Sequence, residues 1–324
     1  MLGAATITAS GTEEQKQYYL YGLATGRDFW CQLFSEPGSG SDLASLATRA
    51  VRDGDVWIVN GQKVWSSGAH MADYGLLMAR TDPVQPKHRG ITYFILDMHA
   101  DGVDVRPLKQ ITGGAEFNEV FLSDVVVPDS MRLGPINEGW RVSTTTLMHE
   151  RTGLSEAPQV GRGQVDRLIG DAKENGKWND PVLRDHLIKL VTEERALQMT
   201  NLRGYASREA GKPPGPEGSI TKLLLSSLSQ RIANAALDIR GLAALADADY
   251  GPDDREFYAR MAEGARLPDS LITRSFLASR SQTILGGTSE IQRNIIGERV
   301  LGLPKDADPW KDRAWKEIPR ETLT

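Results

Sequence analysis

One run of residues gathers most of the chain's small hydroxyl and glycine chemistry: Trp30-Cys31-Gln32-Leu33-Phe34-Ser35-Glu36-Pro37-Gly38-Ser39-Gly40-Ser41-Asp42. Apolar and aromatic residues lead into Ser-Glu-Pro, and glycine then alternates with serine before an aspartate. Pro37 has no N–H to give a strand ladder, so a strand must stop before it. Gly38 and Gly40 permit backbone angles that a β-carbon forbids, which lets a ligand approach the main chain. Ser35, Ser39 and Ser41 place short donor-acceptor hydroxyls on the same turn. Such a loop suits a flat, acceptor-rich ring or a phosphate. The composition is equally that of an ordinary turn after a strand.

Three further groups carry chemistry. In Trp65-Ser66-Ser67 an indole can cover one face of a flat ring while a serine hydroxyl donates to a ring nitrogen; the alternative is a core tryptophan beside a turn. Glu150, in Leu147-Met148-His149-Glu150-Arg151, is a carboxylate beside a guanidinium. That pattern serves either a helix-surface ion pair or a base whose pKa burial raises. Gly286-Gly287-Thr288-Ser289-Glu290 ends one helix and starts another, with Thr288 or Ser289 as cap and Glu290 in the first turn. A helix N-terminus offers free N–H groups to an anion, and a simple cap needs nothing more. The five histidines, His149 and His186 among them, are scattered without ligand spacing, so no metal site is expected.

The elements that must position these groups change character along the chain. Residues 1–27 hold a short helix capped by Thr12, with Glu13 and Glu14 in its first turn. Residues 28–135 are β-rich: Val56-Trp57-Ile58-Val59, Leu76-Leu77-Met78-Ala79, Ile91-Thr92-Tyr93-Phe94-Ile95-Leu96 and Val103-Asp104-Val105 are separated by Asp53-Gly54-Asp55, Asn60-Gly61, Asp82-Pro83 and Asp101-Gly102. Asn60-Gly61 predicts a hairpin turn. Short strands at this spacing predict a compact sandwich or barrel. Residues 136–304 predict an antiparallel helical bundle, with Leu183, Leu187, Leu190 and Val191 on one helix and Ile220, Leu223, Leu224, Leu228 and Ile232 on the next. Lys212-Pro213-Pro214-Gly215-Pro216-Glu217-Gly218 separates those two, Ser219 is the expected cap, and Asp249–Asp254 is a second linker. A helix from Ser289 to about Leu301 should stop at Gly302 and Pro304, and residues 305–324 read as a peripheral tail. The fold class is thus α+β, a β-sandwich or barrel domain followed by a helical bundle.

The order of Phe34-Ser35-Glu36-Pro37-Gly38-Ser39-Gly40-Ser41-Asp42 resembles the flavin-site signature of the acyl-CoA dehydrogenase family. Asn60-Gly61-Gln62-Lys63-Val64-Trp65, Phe117-Asn118-Glu119-Val120, Glu150-Arg151 and Gly287-Thr288-Ser289-Glu290-Ile291-Gln292-Arg293 resemble the same family in the same order, from about residue 12 to residue 304. The resemblance implies an FAD-dependent α,β-dehydrogenation of an acyl-CoA thioester, with electrons passed to an electron-transfer flavoprotein or similar acceptor. It implies cofactor contacts from Gln32, Leu33, Phe34, Ser35, Gly40, Ser41, Trp65, Ser66, Ser67, Thr288 and Glu290, with Ser67 near the hydride-accepting nitrogen. Ser41 and Arg151 would meet substrate. Most of the family places the catalytic glutamate just before the Gly-Thr of the C-terminal motif, where this chain has Gly286. A subgroup resembling isovaleryl- and long-chain acyl-CoA dehydrogenases carries it on the first helix of the bundle, which implies Glu150.

The sequence also departs from the family. Residues 1–27 read as a remnant of the family's N-terminal helical region, whose expected absence ahead of the flavin loop predicts exposed apolar surface and self-association through the bundle. Met148 stands where an aspartate is common, Asn175-Gly176-Lys177-Trp178-Asn179 replaces Arg-x-x-Phe-Gly, and Gly241-Leu242-Ala243-Ala244 replaces Gly-Gly-Asn-Gly. These losses suit a divergent member or one subunit of a heteromeric enzyme. A non-catalytic partner subunit and a flavin-dependent oxidase or monooxygenase on the same fold are the rival readings.

Composition excludes several classes. The 324 residues carry 38 basic and 43 acidic side chains, a net charge of −5, with no nucleic-acid footprint. A lone cysteine, Cys31, rules out an internal disulfide framework and fits a reducing compartment. No apolar run reaches the ~20 residues of a membrane span. A cytoplasmic, oligomeric protein is expected.

Overall fold

The computed structural model describes residues 2–156, 163–211, 217–245 and 269–319. Helix α1 (Leu2–Ser10) precedes α2 (Glu13–Thr25). The cap at Thr12 is present as a full capping box: Thr12 Oγ1 accepts from Gln15 N at 3.2 Å, and Gln15 Oε1 accepts from Thr12 N at 2.9 Å. The Gln15 amide also donates to the carbonyls of Ser130 and Arg132, which ties α2 to the sheet.

The β-rich stretch forms one sheet of β1 (Trp30–Leu33), β2 (Arg49–Asp53), β3 (Val56–Ser67), β4 (Tyr74–Arg80), β5 (Ile91–Asp97), β6 (Val103–Leu108), β7 (Phe117–Pro128) and β8 (Arg132–Leu133). The order is β6-β7-β3-β2-β4-β5-β8, with β1 parallel to β4. The sheet curls on itself, because Trp57 on β3 meets Phe94 on β5 at 5.4 Å between ring centroids although two strands separate them. The interior of that curl holds Leu33, Trp57, Leu77, Phe94 and Leu122. The opposite face of β4 and β5 carries Leu76, Met78, Tyr93 and Ile95, packed with Ile7 and Tyr19 from α1 and α2. These two strands are buried on both sides, which is why they read as continuous apolar runs rather than alternating ones.

The hairpin expected at Asn60-Gly61 does not form. Strand β3 runs straight through both residues, and the β2–β3 turn lies at Gly54, whose φ is +59°. Gly61 is needed for a different reason: a β-carbon there would lie 2.5 Å from Thr48 Oγ1 and 2.7 Å from Thr48 Cα. The pairing of β3 with β7 shifts register between Val59 and Gly61, and the Asn60 amide bridges to Asp124 across that bulge.

The helical part contains α3 (Gly139–Glu156), α4 (Gln164–Glu174), α5 (Pro181–Glu209), α6 (Glu217–Arg240), α7 (Asp269–Ser279) and α8 (Ser289–Arg299). Central helix α6 packs against α4, α5, α7 and α8. Leu187 and Leu190 are buried as the spacing predicted, and Leu183 and Val191 pack against that core. Two expectations for α6 are corrected. Ser219 is a buried residue inside the helix, not its cap, because the helix has already begun at Glu217. Leu224 is 38% exposed, while Thr221, Lys222 and Ser226 are buried. The buried face of the first turns is polar because Lys222 Nζ donates to the Gln282 carbonyl at 2.6 Å and the Ser226 hydroxyl bonds back to Lys222 O. The expected linker at Asp249–Asp254 lies outside the described residues, as does most of that before Glu217.

The chain divides into two compact units. One comprises Met1–Lys109, Ala115–His149 and Asp306–Thr324; the other comprises Gln110–Gly114 and Glu150–Lys305. Residues 306–319 therefore cluster with the sheet unit as a mostly exposed segment. Trp315 N donates to Gln85 O at 2.9 Å, Lys316 N to Pro83 O at 3.1 Å, and Ala314 forms a β-bridge with Pro86. Among the described residues, no helix is long and apolar enough to cross a membrane.

Candidate functional site

The glycine-serine loop starts where β1 ends. Glu36 and Ser39 exchange both backbone hydrogen bonds, at 2.9 and 3.0 Å, so Pro37 and Gly38 form the tip of a tight turn. The reason for the glycines differs from the expected one. Neither Gly38 nor Gly40 has a positive φ, and a β-carbon at either would meet nothing within 4 Å. What the two glycines provide is open space beside the main chain. Ser41 is exposed next to Gly40, whereas the Ser39 hydroxyl is turned inward and donates to Asp42 O at 2.7 Å.

The loop is fixed from below by a buried ion pair. Lys63 Nζ lies 2.8 Å from Glu36 Oε1 and 3.0 Å from Phe34 O, and the Lys63 side chain is wholly buried. The Glu36 carboxylate also accepts from Ala47 N at 2.6 Å and Thr48 N at 2.9 Å. Burial alone would raise the Glu36 carboxyl, but the Lys63 ammonium and these donors outweigh it and hold it below the ordinary carboxylate range. Burial pulls the Lys63 ammonium below its usual value, with Glu36 opposing. Val64 N donates to Ser35 O at 2.9 Å, so residues 34–36 lie alongside residues 63–64.

That pairing brings the loop next to Trp65, Ser66 and Ser67 at the end of β3. The β3–β7 register shifts again between Lys63 and Ser66, and Trp65 occupies the left-handed region with φ +62°. Its indole is 60% exposed and meets Phe117 edge-on at 6.0 Å, so it is not the core tryptophan that composition alone allowed. Ser67 is exposed. Asn118, fully buried on β7, clamps the bulge by donating to Ser66 O at 2.9 Å.

Several buried polar atoms near the loop have no hydrogen-bond partner among the described residues: Trp30 Nε1, Gln32 Nε2, Thr48 Oγ1 and Ser66 Oγ. An unpaired buried donor is costly unless something else satisfies it. A ring with nitrogen and oxygen atoms at its edge has the acceptors they lack. The remaining predicted contacts divide by atom type. Leu33 and Phe34 turn their side chains into the core, where Phe34 meets Tyr93 edge-on, so only their main chain is free to face a ligand.

Thr288 and Glu290 belong to the other unit. Thr288 caps α8, its hydroxyl accepting from Ile291 N at 3.3 Å, and Glu290 is exposed in the first turn beside Arg293. Gly286 and Gly287 have φ of +62° and +86°, and Gln292 Nε2 donates to both of their carbonyls. Glu150 and Arg151 lie within α3; their side chains are outside the described residues. Met148 is 41% exposed, and Leu242 is 85% exposed in the segment Gly241–Leu245.

Lys63 and Asn118 build the site; both lie in stretches that resemble the family, Asn60–Trp65 and Phe117–Val120, but neither carried an expected role. Lys63 is moreover a lone cation within a β-rich run, but nothing local pairs it with Glu36.

Comparison with known proteins decides the family. The acyl-CoA dehydrogenase middle domain matches residues 31–125, and the acyl-CoA dehydrogenase C-terminal domain matches residues 137–301. The chain belongs to the acyl-CoA dehydrogenase family. Acyl-CoA dehydrogenase FadE34 of Mycobacterium tuberculosis is 39% identical over 304 residues, which are 93% of this chain and 39% of that protein. Acyl-CoA dehydrogenase IpdE1 of the same organism is 36% identical over 307 residues, covering 93% of this chain and 74% of that relative. This chain therefore spans well under half of FadE34 and about three quarters of IpdE1. Among solved structures of acyl-CoA dehydrogenases, the Tcur3481-Tcur3483 steroid ACAD superposes with a TM-score of 0.82 at 33% identity, covering 94% of this chain and 76% of that one. The ChsE4-ChsE5 complex from Mycobacterium tuberculosis superposes with a TM-score of 0.76 at 33% identity, with 94% and 76% coverage. Members of this family are flavoproteins.

Proposed function

We propose that the chain carries the FAD- and thioester-binding parts of an acyl-CoA dehydrogenase that acts in the cytoplasm. The observation that carries this reading is an exposed, left-handed Trp65 beside the buried, unsatisfied Ser66 Oγ, with Gln32 Nε2 unsatisfied on the strand that leads into the glycine-serine loop. FAD, when bound, supplies the acceptor for the hydride that leaves the substrate's β-carbon. Trp65 covers one ring face, Ser66 and Ser67 donate to its edge, and the main chain around Gln32–Ser35 and Gly40–Ser41 approaches it closely. Thr288 and Glu290 serve the adenosine end, and residues 28–135 and 136–304 act as the two functional domains. Glu150 removes the proton α to the thioester carbonyl, a role that Gly286 leaves open because it has no side chain. Arg151 and Ser41 meet the substrate, and electrons leave to an electron-transfer flavoprotein or similar acceptor.

The names of the structural relatives extend the reading to the acyl group: a steroid acyl-CoA heads the substrate panel. The test is reconstitution with excess FAD, followed by anaerobic addition of steroid, fatty, branched and aromatic acyl-CoAs. Non-covalently retained flavin that bleaches with one of them is expected. No retained flavin in the full assembly would overturn the reading.

A second reading is favoured by the paired names Tcur3481-Tcur3483 and ChsE4-ChsE5. Under it the chain is one subunit of a heteromeric enzyme and completes a neighbour's site. Purified alone it would be colourless, and it would acquire flavin only on mixing with its mate.

A further inference from the structure

We propose that the C-terminal segment is a strap across the outgoing leg of the glycine-serine loop, and that Trp315 is a positioning residue for that loop. The strap lies beyond residue 301, where the match to the family's C-terminal domain ends. Its placement rests on interactions within the sheet unit alone. Trp315 Nε1 donates to Ser45 O at 3.3 Å, and the Trp315 ring lies 4.7 Å from the Arg80 guanidinium carbon. Arg80 is 2% exposed and in turn donates to Ala44 O at 2.6 Å and to Lys87 O at 2.7 Å. Lys87 then closes the circuit: its ammonium is 3.0 Å from both carboxylate oxygens of Asp42.

Loop residues 42–45 are therefore gripped at three points, and each grip leads back to the strap. Asp42 is held by Lys87, whose backbone carbonyl is held by Arg80. Ala44 is held by Arg80, whose guanidinium is covered by the Trp315 ring. Ser45 is held by Trp315 itself. The strap is pinned beside them by the backbone bonds Trp315 N to Gln85 O and Lys316 N to Pro83 O. Stacking an indole on a guanidinium orients the cation and shields its hydrogen bonds from water. Gly40 and Ser41, the open and exposed positions of the loop, immediately precede this gripped stretch. Without Trp315, Arg80 gains access to water and Ser45 O loses its donor, so residues 41–46 should sample more conformations before any ligand arrives.

The functional half of this inference rests on the flavin reading above, and the experiment separates the two. The full chain is compared with Trp315→Ala and Trp315→Phe by hydrogen exchange of the peptide covering residues 41–48, by FAD titration, and by melting temperature. In Trp315→Ala, exchange at Ser45 and Leu46 should rise about tenfold while exchange in β5 is unchanged. FAD affinity should fall roughly 2- to 30-fold, the range of one cation–π contact. Trp315→Phe keeps a ring over Arg80 but loses the donor to Ser45 O, so it should recover part of both effects, which a merely global loss of stability would not do. Unchanged exchange at residues 41–48 in Trp315→Ala overturns the strap. Wild-type protein that binds FAD, with Trp315→Ala binding it equally well, overturns the positioning role. If the wild type retains no FAD, the flavin reading fails, and the exchange data alone decide the strap.

Discussion

Lys63 Nζ and Glu36 Oε1 are 2.8 Å apart, with the lysine side chain fully buried and the glutamate side chain 8% exposed. The pair joins the turn after β1 to the middle of β3. It matters less as a source of stability than as a fixed point, because desolvating two charges offsets most of their attraction. Around it the carboxylate collects the N–H groups of Ala47 and Thr48, so one side chain sets both ends of the loop.

Removing one partner should be far worse than removing both. Glu36→Ala leaves an uncompensated ammonium in the core and should cost about 3–5 kcal/mol. Glu36→Gln combined with Lys63→Met should cost clearly less than the sum of the single changes. Denaturant unfolding of the wild type, Glu36→Gln, Lys63→Met and the double variant measures this as a coupling term. The pH dependence has a definite sign. The Glu36 carboxyl is depressed, so its contribution is present above its unfolded value near 4.5 and is lost as pH falls through the lower native value. Additive single-mutant effects would contradict the role given to the pair.

Trp65 separates stability from binding. A non-glycine residue in the left-handed region costs roughly 1–2 kcal/mol, and this side chain is mostly exposed. Trp65→Gly relieves that strain but frees the unfolded chain, so stability should change by no more than about 1 kcal/mol. FAD affinity should nevertheless fall at least tenfold if the indole covers the ring. A large loss of melting temperature with normal flavin binding would return Trp65 to a packing role.

Glu194 gives a pH prediction in the helical unit. It sits on α5, is 1% exposed, and accepts from Gln164 N at 2.9 Å, capping α4. Burial raises its pKa, opposed by hydrogen bonds from the N–H groups of Gln164 and Val165. The native state thus holds this proton more tightly than the unfolded state. Stability should fall as pH rises from about 4.5 through the raised native value, because the charged form is the one that burial disfavours. Glu194→Gln keeps an acceptor for the cap and removes the charge, so this part of the pH dependence should flatten. Stability curves of wild type and variant that stay parallel over this range would exclude Glu194 as the titrating group.

The sequence made some of these relationships legible and hid others for physical reasons. The cap at Thr12, the strand runs at Leu76–Ala79 and Ile91–Leu96, and the cap at Thr288 are local patterns, decided by residues within a turn of each other. Asn60-Gly61 misled because the same dipeptide suits a hairpin and a bulge. Thr48, more than ten positions earlier, decides between them by its close approach to Gly61. The buried stripe of α6 misled because Lys222 and Ser226 satisfy their polar groups on the bundle's own carbonyls, so apolarity ceased to mark the inner face. Glu36 with Lys63, and Arg80 with Trp315, are long-range pairs. No spacing rule connects such partners, and charged or aromatic residues in polar stretches read as surface until the fold closes.

Gly286, where the family resemblance would otherwise imply the base, has φ +62° and no side chain. Neighbouring positions 285 and 287 are leucine and glycine, so no carboxylate replaces it there. Glu150 lies within α3 and is the residue to which the proposed function assigns the base. General-base loss typically costs ~10²–10⁴-fold in rate. Glu150→Gln keeps size and hydrogen-bonding capacity but cannot take a proton, so flavin reduction by a good acyl-CoA should slow by at least that range while FAD stays bound. Arg151→Lys keeps the positive charge and loses only the planar fork, so its loss should be smaller. Stopped-flow anaerobic reduction of the reconstituted proteins distinguishes the outcomes. A Glu150→Gln protein that reduces its flavin at the wild-type rate would remove this residue from the chemistry. A wild-type protein that takes up flavin, and is reduced by an acyl-CoA, only after mixing with its mate would instead favour the partner-subunit reading.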